Sequence, residues 1–286
     1  MTGISRIGVV GAGQMGGGFA QVCARGGLDV TVACRDQASL ERARQRIGRS
    51  LDALVRKGKL SEAEGAETAG RIRFGTGLAG LRDRQFVLEA IPERLPDKLA
   101  LFTELDAAVR DPDAILASNT SSLPLARLGS ATGNPARVIG VHFFNPVPVM
   151  PLVEVISALR TSGDVVALTS AFITDGLGKQ VIHAKDRAGF VVNSLLVPYL
   201  LHAVRMLEAG IASAQDIDNG MRLGCGHPMG PLALIDLIGL DTIASVGEAM
   251  FAEAKEPMYA PPPLLLRMVE SGLLGKKTGL GFYPYD

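Results

Sequence analysis

A short strand, a glycine-rich turn, a helix and a second strand follow one another near the start of this chain. The apolar run Arg6–Val10 predicts a buried strand, and the stretch GAGQMGGG comes directly after it. A helical pattern covers Phe19–Arg25, and Asp29–Ala33 predicts the second strand. Such a βαβ unit places its strands in parallel with a right-handed crossover, so this part of the chain builds an α/β sheet.

The same alternation continues beyond this unit. Residues 37–70 are charged and helical in pattern, which fits a solvated helical pair or a helical excursion from the sheet. Pro96–Val109 predicts another helix. Strand patterns return at Phe86–Ala90, Ile115–Ser118, Val138–Val141 and Leu152–Ile156. Repeated strand and helix patterns of this kind predict a doubly wound sheet.

The character of the chain changes near residues 185–188. Residues 190–210 are apolar on nearly every side, which fits a buried helix rather than one that packs by a single face. The remainder is helical in pattern, with Gly and Pro breaks. A length of 286 residues suits two domains, and we expect an α/β domain at 1–185 and a helical domain at 186–286.

Composition excludes several classes of protein. Lys+Arg and Asp+Glu are both 29, so the chain lacks the excess positive charge of nucleic-acid binders and of polybasic membrane-surface proteins. The 3 cysteines lie far apart, which predicts neither disulfides nor a zinc site and indicates a reducing compartment. The longest uncharged run, Ala188–Val204, is shorter than the roughly 18–20 residues of a membrane-spanning helix. No signal peptide is expected before the first strand, so we predict a cytoplasmic protein.

The glycine-rich turn carries the spacing of a dinucleotide-binding motif. Gly11 permits the tight turn, Gly13 lets the backbone approach a pyrophosphate, and Gly16 permits close packing of helix on strand. The helix that follows presents unpaired N–H groups and its positive dipole end to the phosphates. Ordinary turn glycines are the alternative, but the position between a strand and a helix favours a dinucleotide.

The end of the second predicted strand bears on the choice between NAD(H) and NADP(H). An NAD enzyme carries Asp or Glu there for the ribose 2′-hydroxyl, whereas this chain has Cys34 followed by Arg35. Arg35 suits a 2′-phosphate, which slightly favours NADP(H). The alternative is a solvated Arg35 with Asp36 on the ribose of NAD(H).

Polar clusters follow or interrupt several of the apolar strands. They include residues 118–122, His142 in the run VHFFNP and Glu154 between two valines. Ligands bind at the carboxyl ends of strands in open α/β sheets, and His suits proton transfer near neutral pH. A buried Glu154 would need a partner, and His142 would supply one. Asn193 fits either a satisfied core amide or a donor to a ligand, and Lys277 fits either a solvated turn or a phosphate contact. No His, Cys or acidic spacing predicts a metal site.

Together these segments resemble the L-3-hydroxyacyl-CoA dehydrogenase family, in particular its short bacterial 3-hydroxybutyryl-CoA dehydrogenases. The resemblance covers essentially the whole chain. It rests on these stretches: GAGQMG, EAIPE (89–93), SNTSSLP (118–124), GVHFFNPVPVMPLVEV (140–155), DRAGFVVNSLLVPYL (186–200), HPMGPLALIDLIGLD (227–241) and GKKTGLGFY (275–283).

The resemblance implies a Rossmann-like doubly wound N-terminal domain and an all-helical C-terminal domain that binds substrate and forms a homodimer. It makes His142 the general base, Glu154 its orienting partner, and Ser121 and Asn193 donors to the reacting oxygen. Ser50, Lys57, Ser121 and Asn193 would contact the substrate. The residues expected to bind the cofactor are Gly11, Ala12, Gly13, Gln14, Met15, Gly16, Cys34, Arg35, Ala90, Glu93, Lys98, Asn119, Ser121, Asn145 and Lys277. Cys34 departs from the family, which usually has an acid there.

The activity implied is reversible hydride transfer between a nicotinamide cofactor, NAD(H) or NADP(H), and C3 of a short 3-hydroxyacyl thioester. Acetoacetyl-CoA and 3-hydroxybutyryl-CoA are the expected substrates. A thioester carried by an acyl carrier protein is one alternative. A non-enzymatic dinucleotide sensor is another, but a sensor has no need of His142, Glu154, Ser121 and Asn193 together.

Overall fold

The computed structural model describes residues 3–285 and divides them into two units, the first ending at Asp186 and the second beginning at Arg187. The strands, all in the first unit, are Arg6–Val10 (β1), Asp29–Cys34 (β2), Ile72–Thr76 (β3), Phe86–Glu89 (β4), Ile115–Ser118 (β5), Val138–Phe143 (β6), Leu152–Ser157 (β7) and Gln180–Lys185 (β8). Its helices are Gln14–Arg25 (α1), Gln37–Arg56 (α2), Glu62–Gly70 (α3), Leu95–Ala108 (α4), Leu125–Ser130 (α5) and Gly163–Ala171 (α6).

The strands form one 8-stranded sheet in the order β3-β2-β1-β4-β5-β6-β7-β8. From β1 the chain runs outward through β2 and β3, and it then returns to β4 on the other side of β1. The strands from β3 to β6 in this order are all parallel. The doubly wound architecture is therefore confirmed. The connections after β1 and β4 leave the sheet in opposite directions, and such a switch point opens a crevice at the carboxyl ends of the strands.

The last two strands run against the others, which the alternation of patterns did not predict. β7 pairs antiparallel with β6, and β8 is parallel to β7. The reason is the short connection of residues 144–151 between β6 and β7, since a parallel crossover needs about a dozen residues or more. The carboxyl end of β6 consequently lies beside the start of β7.

Strands β3 and β8 were not predicted from the sequence. They occupy the two edges of the sheet, where a strand has a single neighbour. β3 contains Arg73 and Gly75, and most residues of β8 are exposed or half-buried. Edge strands need no continuous apolar run, so the pattern that identifies central strands is missing from both.

The core beneath the sheet contains a group of phenylalanine rings. Phe19 of α1 packs against Phe86 of β4 and Phe143 of β6, with ring centroids 6.1 and 5.2 Å apart. Phe86 also packs against Phe172 at 4.9 Å. Successive side chains of a strand point to opposite faces, so burial of Phe143 turns its neighbour His142 to the other face of the sheet.

The second unit is built from the helices Val192–Glu208 (α7), Ala214–Asn219 (α8), Pro231–Ile238 (α9), Leu240–Ala254 (α10) and Pro263–Glu270 (α11). Helix α7 lies within the apolar stretch that predicted a buried helix, but within this chain it is not buried all round. Its core residues include Leu200, Leu201 and Val204, whereas Leu195 is 74% exposed. Among residues 3–285, no helix has the length and apolarity needed to span a bilayer.

A buried carboxylate of α9 holds the last residues of the described chain against the rest of the second unit. Asp236 of α9 accepts hydrogen bonds from the backbone N–H groups of Phe282 and Tyr283 and from the Tyr285 hydroxyl. A Cβ on Gly281 would lie 2.0 Å from Oδ1 of Asp236, so the close approach requires glycine. Burial raises the pKa of Asp236 above the usual aspartate range, although these hydrogen bonds oppose the shift.

Candidate active site

The glycine motif forms the turn between β1 and α1. Gly11 has a φ of +87°, and a Cβ there would lie 2.7 Å from the carbonyl oxygen of Ala90, which follows β4. A Cβ on Gly16 would lie 1.9 Å from the carbonyl oxygen of Gly11. These two glycines therefore allow the turn to pack closely at the switch point.

Gly13 differs from the other two glycines because its surroundings are open. A Cβ on Gly13 would find no atom of the described chain within 4 Å. Gly13 is the N-cap residue of α1, no side chain caps this helix, and its first turn contains no acidic residue. The N-terminus of α1 thus offers N–H groups and a positive dipole end beside free space, an arrangement that fits the pyrophosphate of a dinucleotide.

The predicted ribose-binding residues follow β2. Cys34 is buried, and its pKa is raised by burial and then by the charge of Asp36, so the thiol is neutral. Asp36 caps α2 by accepting from the N–H of Ser39 at 2.7 Å. This bond, together with a contact from Arg35, lowers the pKa of Asp36 to about 2. The Arg35 side chain is 87% exposed, and its Nε lies 3.1 Å from Asp36 Oδ2.

His142 and Glu154 lie directly opposite each other in the antiparallel pair β6–β7. Cross-strand neighbours point to the same face, and here Nδ1 of His142 lies 2.7 Å from Oε2 of Glu154. Glu154 is fully buried, and the Phe144 ring packs 4.7 Å from the imidazole. The contact holds the imidazole in one orientation and places a negative charge where it stabilises the imidazolium form.

A second buried carboxylate, Glu89, was not among the expected site residues. It ends β4 and accepts from Lys98 Nζ at 2.6 Å and from Ser118 Oγ at 2.6 Å. The Lys98 side chain is only 1% exposed, and its ammonium also lies 3.2 Å from Glu93. Glu89 stands in the apolar run FVLE much as Glu154 stands in LVEV, so the same signal would have identified it.

Glu93 fixes the loop that follows β5. It accepts from Thr120 Oγ1 at 2.5 Å and from the backbone N–H of Ser121 at 3.0 Å. Burial raises the pKa of Glu93, but the Lys98 ammonium and the bonds from Thr120 and Ser121 lower it by more. The carboxylate is therefore ionised at neutral pH. Asn119 continues the connection to β6, because its Oδ1 accepts from the N–H of Phe143 at 3.0 Å.

These contacts bring several of the expected residues together at one edge of the sheet, namely Glu93, Lys98, Asn119, Ser121 and the pair His142–Glu154. Other expected residues lie elsewhere. Ser50 and Lys57 lie on or just after α2, and the Ser50 hydroxyl donates to Gln21 at 2.7 Å. Asn145 is exposed in the connection between β6 and β7.

Two expected residues belong to the second unit. Asn193 is half-buried near the start of α7. Lys277 forms an ion pair with Asp241, with Nζ–Oδ distances of 2.5 and 2.6 Å. Over the described range 3–285, no group of three His, Cys, Asp or Glu side chains is arranged to hold a metal ion.

Comparison with known proteins bears on both units. Residues 6–187 match the NAD binding domain of 3-hydroxyacyl-CoA dehydrogenase, and residues 189–285 match the C-terminal domain of the same family. A 3-hydroxybutyryl-CoA dehydrogenase of Mycobacterium tuberculosis is 54% identical over 282 residues, with 99% of each chain covered. A probable 3-hydroxybutyryl-CoA dehydrogenase of Deinococcus radiodurans is 46% identical, with 98% of this chain and 100% of the relative covered.

Solved structures show the same similarity. The crystal structure of FadB2 from M. tuberculosis has a TM-score of 0.98 at 54% identity and covers 99% of both chains. The (S)-3-hydroxybutyryl-CoA dehydrogenase PaaH1 from Ralstonia eutropha has a TM-score of 0.94 at 43% identity, again with 99% of both chains covered. The same family therefore matches both units, over nearly every residue from β1 to the end of the described chain. The chain belongs to the 3-hydroxyacyl-CoA dehydrogenase family.

Proposed function

We propose that this chain is a 3-hydroxybutyryl-CoA dehydrogenase that interconverts 3-hydroxybutyryl-CoA and acetoacetyl-CoA. The observation that carries the proposal is the His142–Glu154 pair, held in register across β6 and β7 on the same sheet as an uncapped, glycine-rich dinucleotide turn. A proton-transfer group and a dinucleotide site are what the oxidation of a secondary alcohol to a ketone requires. When bound, the nicotinamide cofactor accepts or returns the hydride at its C4.

His142 carries the proton in this proposal. During oxidation its Nε2 takes the proton of the C3 hydroxyl, because Nδ1 is held by Glu154. During reduction the imidazolium returns that proton to the carbonyl oxygen. Glu154 stabilises the imidazolium through its fully buried carboxylate. General acid–base catalysis of this kind supplies about 10²–10⁴-fold in rate.

Ser121 and Asn193 complete the proposed catalytic set. Both carry donors suited to an oxygen on which negative charge develops, and such donors contribute a few kcal/mol each where water is excluded. The Ser121 backbone is fixed by Glu93, which supports a set position for its hydroxyl. The role of Asn193 rests on the family resemblance alone, as do the roles of Lys277, of Asn145 and of the substrate contacts at Ser50 and Lys57.

The proposal is tested by following NADH oxidation with acetoacetyl-CoA as substrate. We expect turnover that depends on both components and gives 3-hydroxybutyryl-CoA. The same assay with an acetoacetyl thioester on an acyl carrier protein separates the two thioester classes. Turnover restricted to the carrier-bound thioester would show that the substrate is carried by an acyl carrier protein rather than by CoA. Cofactor binding without turnover of either thioester would identify a dinucleotide sensor.

Glu154→Gln is expected to lower kcat for acetoacetyl-CoA reduction by about 10–100-fold, the worth of a hydrogen bond to a charged group. The amide keeps a polar contact with His142 but removes the charge that stabilises the imidazolium. The loss is expected to be smaller than that of His142→Gln measured in parallel. A larger loss in Glu154→Gln would reverse the roles given to the two residues.

For the cofactor, we propose that NADPH is used at least as efficiently as NADH. Cys34 offers no charge to the ribose 2′-hydroxyl, whereas the exposed Arg35 guanidinium suits a 2′-phosphate. Arg35→Ala is expected to raise the KM for NADPH by about tenfold and to leave that for NADH within twofold, as expected for loss of one charge-assisted hydrogen bond. Cys34→Asp is expected to shift preference toward NADH.

The competing assignment, Asp36 on the ribose of NADH, makes a different prediction. Asparagine is as good an N-cap residue as aspartate, so Asp36→Asn is expected to keep the cap of α2 while it removes the negative charge. If the wild-type enzyme favours NADH at least tenfold in kcat/KM, the NADPH assignment is wrong. Loss of that preference in Asp36→Asn would then assign Asp36 to the ribose.

We also propose a homodimer formed through the second unit. Leu195 of α7 is 74% exposed, Leu223 is 80% exposed and Ile211 is 67% exposed, and large apolar side chains at such exposure favour an interface. Light scattering at micromolar concentration is expected to give twice the mass of the chain. A monomer mass would contradict the proposal. We also expect the enzyme in the cytoplasm, since its 3 widely separated cysteines indicate a reducing compartment.

A further inference from the structure

An arginine of helix α2, Arg46, contacts the glycine-rich turn. It was not among the site residues expected from the sequence. Nη1 of Arg46 donates to the carbonyl oxygen of Ala12 at 2.7 Å. Ala12 stands between Gly11, whose backbone makes the tight turn, and Gly13, whose surroundings are open. The Arg46 guanidinium is therefore held at the turn where the pyrophosphate of a dinucleotide is expected.

Packing of α2 on α1 fixes this position. Ile47, the residue after Arg46, is buried in the core, and a Cβ on Gly17 would lie 3.6 Å from its Cγ1. The two helices are thus in contact at Gly17, at a spacing that corresponds to ordinary van der Waals packing. Arg46 leaves α2 next to this contact and reaches back to the first residues of the turn.

The charges around the turn favour an anion. No acidic residue lies in the first turn of α1, and no side chain occupies its N-cap. Within residues 3–285, the contact observed for Arg46 is with the carbonyl oxygen of Ala12 rather than with a carboxylate, and one of its terminal nitrogens makes it. The guanidinium retains N–H groups that can bind a phosphate oxygen in the planar, paired geometry that arginine provides.

We propose that Arg46 binds the pyrophosphate of the nicotinamide dinucleotide, opposite the N–H groups of α1, while its bond to Ala12 holds the turn in the binding conformation. The proposal rests on the dinucleotide site of the proposed function and adds a cofactor-binding residue to it. Two other roles are possible for Arg46. It could hold the turn in place without binding a ligand, or it could bind the phosphates of the CoA substrate.

The test compares Arg46→Ala and Arg46→Lys with Arg42→Ala. Arg42 lies one turn earlier on α2, is exposed, and contacts Ser39 rather than the glycine turn. Its replacement controls for the loss of one positive charge from the helix. Dissociation constants are measured by titration calorimetry for NADH, for ADP-ribose, which has the pyrophosphate without the nicotinamide, and for free CoA. Melting temperatures establish that each variant is folded.

We expect Arg46→Ala to weaken the binding of NADH and of ADP-ribose at least tenfold. Arg46→Lys is expected to recover part of that loss, because it restores the charge without the planar pair of donors. Arg42→Ala is expected to stay within twofold of wild type, and the dissociation constant for CoA is expected to be unchanged in all variants. Raising the salt concentration from about 20 to 200 mM should weaken NADH binding less in Arg46→Ala than in wild type.

Three results would overturn the inference. Equal losses in Arg46→Ala and Arg46→Lys would identify a structural tie, since the charge would then be irrelevant. A loss of affinity confined to CoA would show that Arg46 binds the substrate rather than the dinucleotide. Binding in Arg46→Ala as tight as in Arg42→Ala would leave Arg46 without a role. Failure of the wild-type protein to bind NADH, NADPH or ADP-ribose would instead refute the proposed function.

Discussion

His142→Gln is expected to lower kcat for acetoacetyl-CoA reduction by about 10²–10⁴-fold, the range supplied by a positioned general acid or base. Glutamine retains polarity and approximate size but cannot carry the proton. The contact with Glu154 lies across paired strands whose backbone bonds remain, so the fold is expected to persist. Stopped-flow or steady-state NADH oxidation measures the loss.

The control for this prediction is cofactor binding. The dissociation constant of NADH in His142→Gln is expected to stay within about twofold of wild type, because the imidazole is assigned to the substrate hydroxyl rather than to the dinucleotide. The melting temperature is expected to stay near that of wild type. Activity within threefold of wild type would remove His142 from the proton-transfer step.

Gly13→Ala is expected to weaken NADH binding by about 100-fold or more without loss of stability, a difference of roughly 3 kcal/mol in binding free energy. The added Cβ would meet no atom of the described chain within 4 Å, so the folded protein accommodates it. It would project into the space that the pyrophosphate requires for close approach to the backbone. Calorimetric titration with NADH and a thermal melt separate the two effects.

Gly16→Ala provides the matched comparison. There the added Cβ would lie 1.9 Å from the carbonyl oxygen of Gly11, so the turn and α1 must move apart. This variant is expected to lose both melting temperature and NADH binding. If Gly13→Ala instead melts lower and binds NADH normally, the open space beside Gly13 is not where the cofactor binds.

Much of the sheet was predictable because its central strands are buried on both faces. Such strands are continuous apolar runs, and the bounds of β1 and β5 agree with the patterns at Arg6–Val10 and Ile115–Ser118. The glycine spacing likewise identified the turn after β1, since positive φ and close backbone approach restrict Gly11 and Gly16 to glycine. These properties depend on each residue and its immediate neighbours.

The same local signal identified His142 and Glu154, because a charged residue inside an apolar strand needs a partner. It also marks Glu89, whose partners Lys98 and Ser118 come from the next helix and the neighbouring strand. The sequence analysis named His142 as the partner of Glu154, but the signal does not identify the partners of Glu89. Sequence separation leaves several pairings open, and the order of strands in the sheet selects among them.

The chain alone therefore specifies where strands, turns and reactive side chains occur, since these follow from apolar runs, glycine spacing and polar residues in apolar surroundings. The reversed direction of β7, the contacts of Glu89 with Lys98 and Ser118 and the contact of Arg46 with Ala12 follow from the folded structure. Each joins residues through strand register or helix packing. Those relations depend on the length of connections and on the shape of distant surfaces, and a local pattern does not encode them.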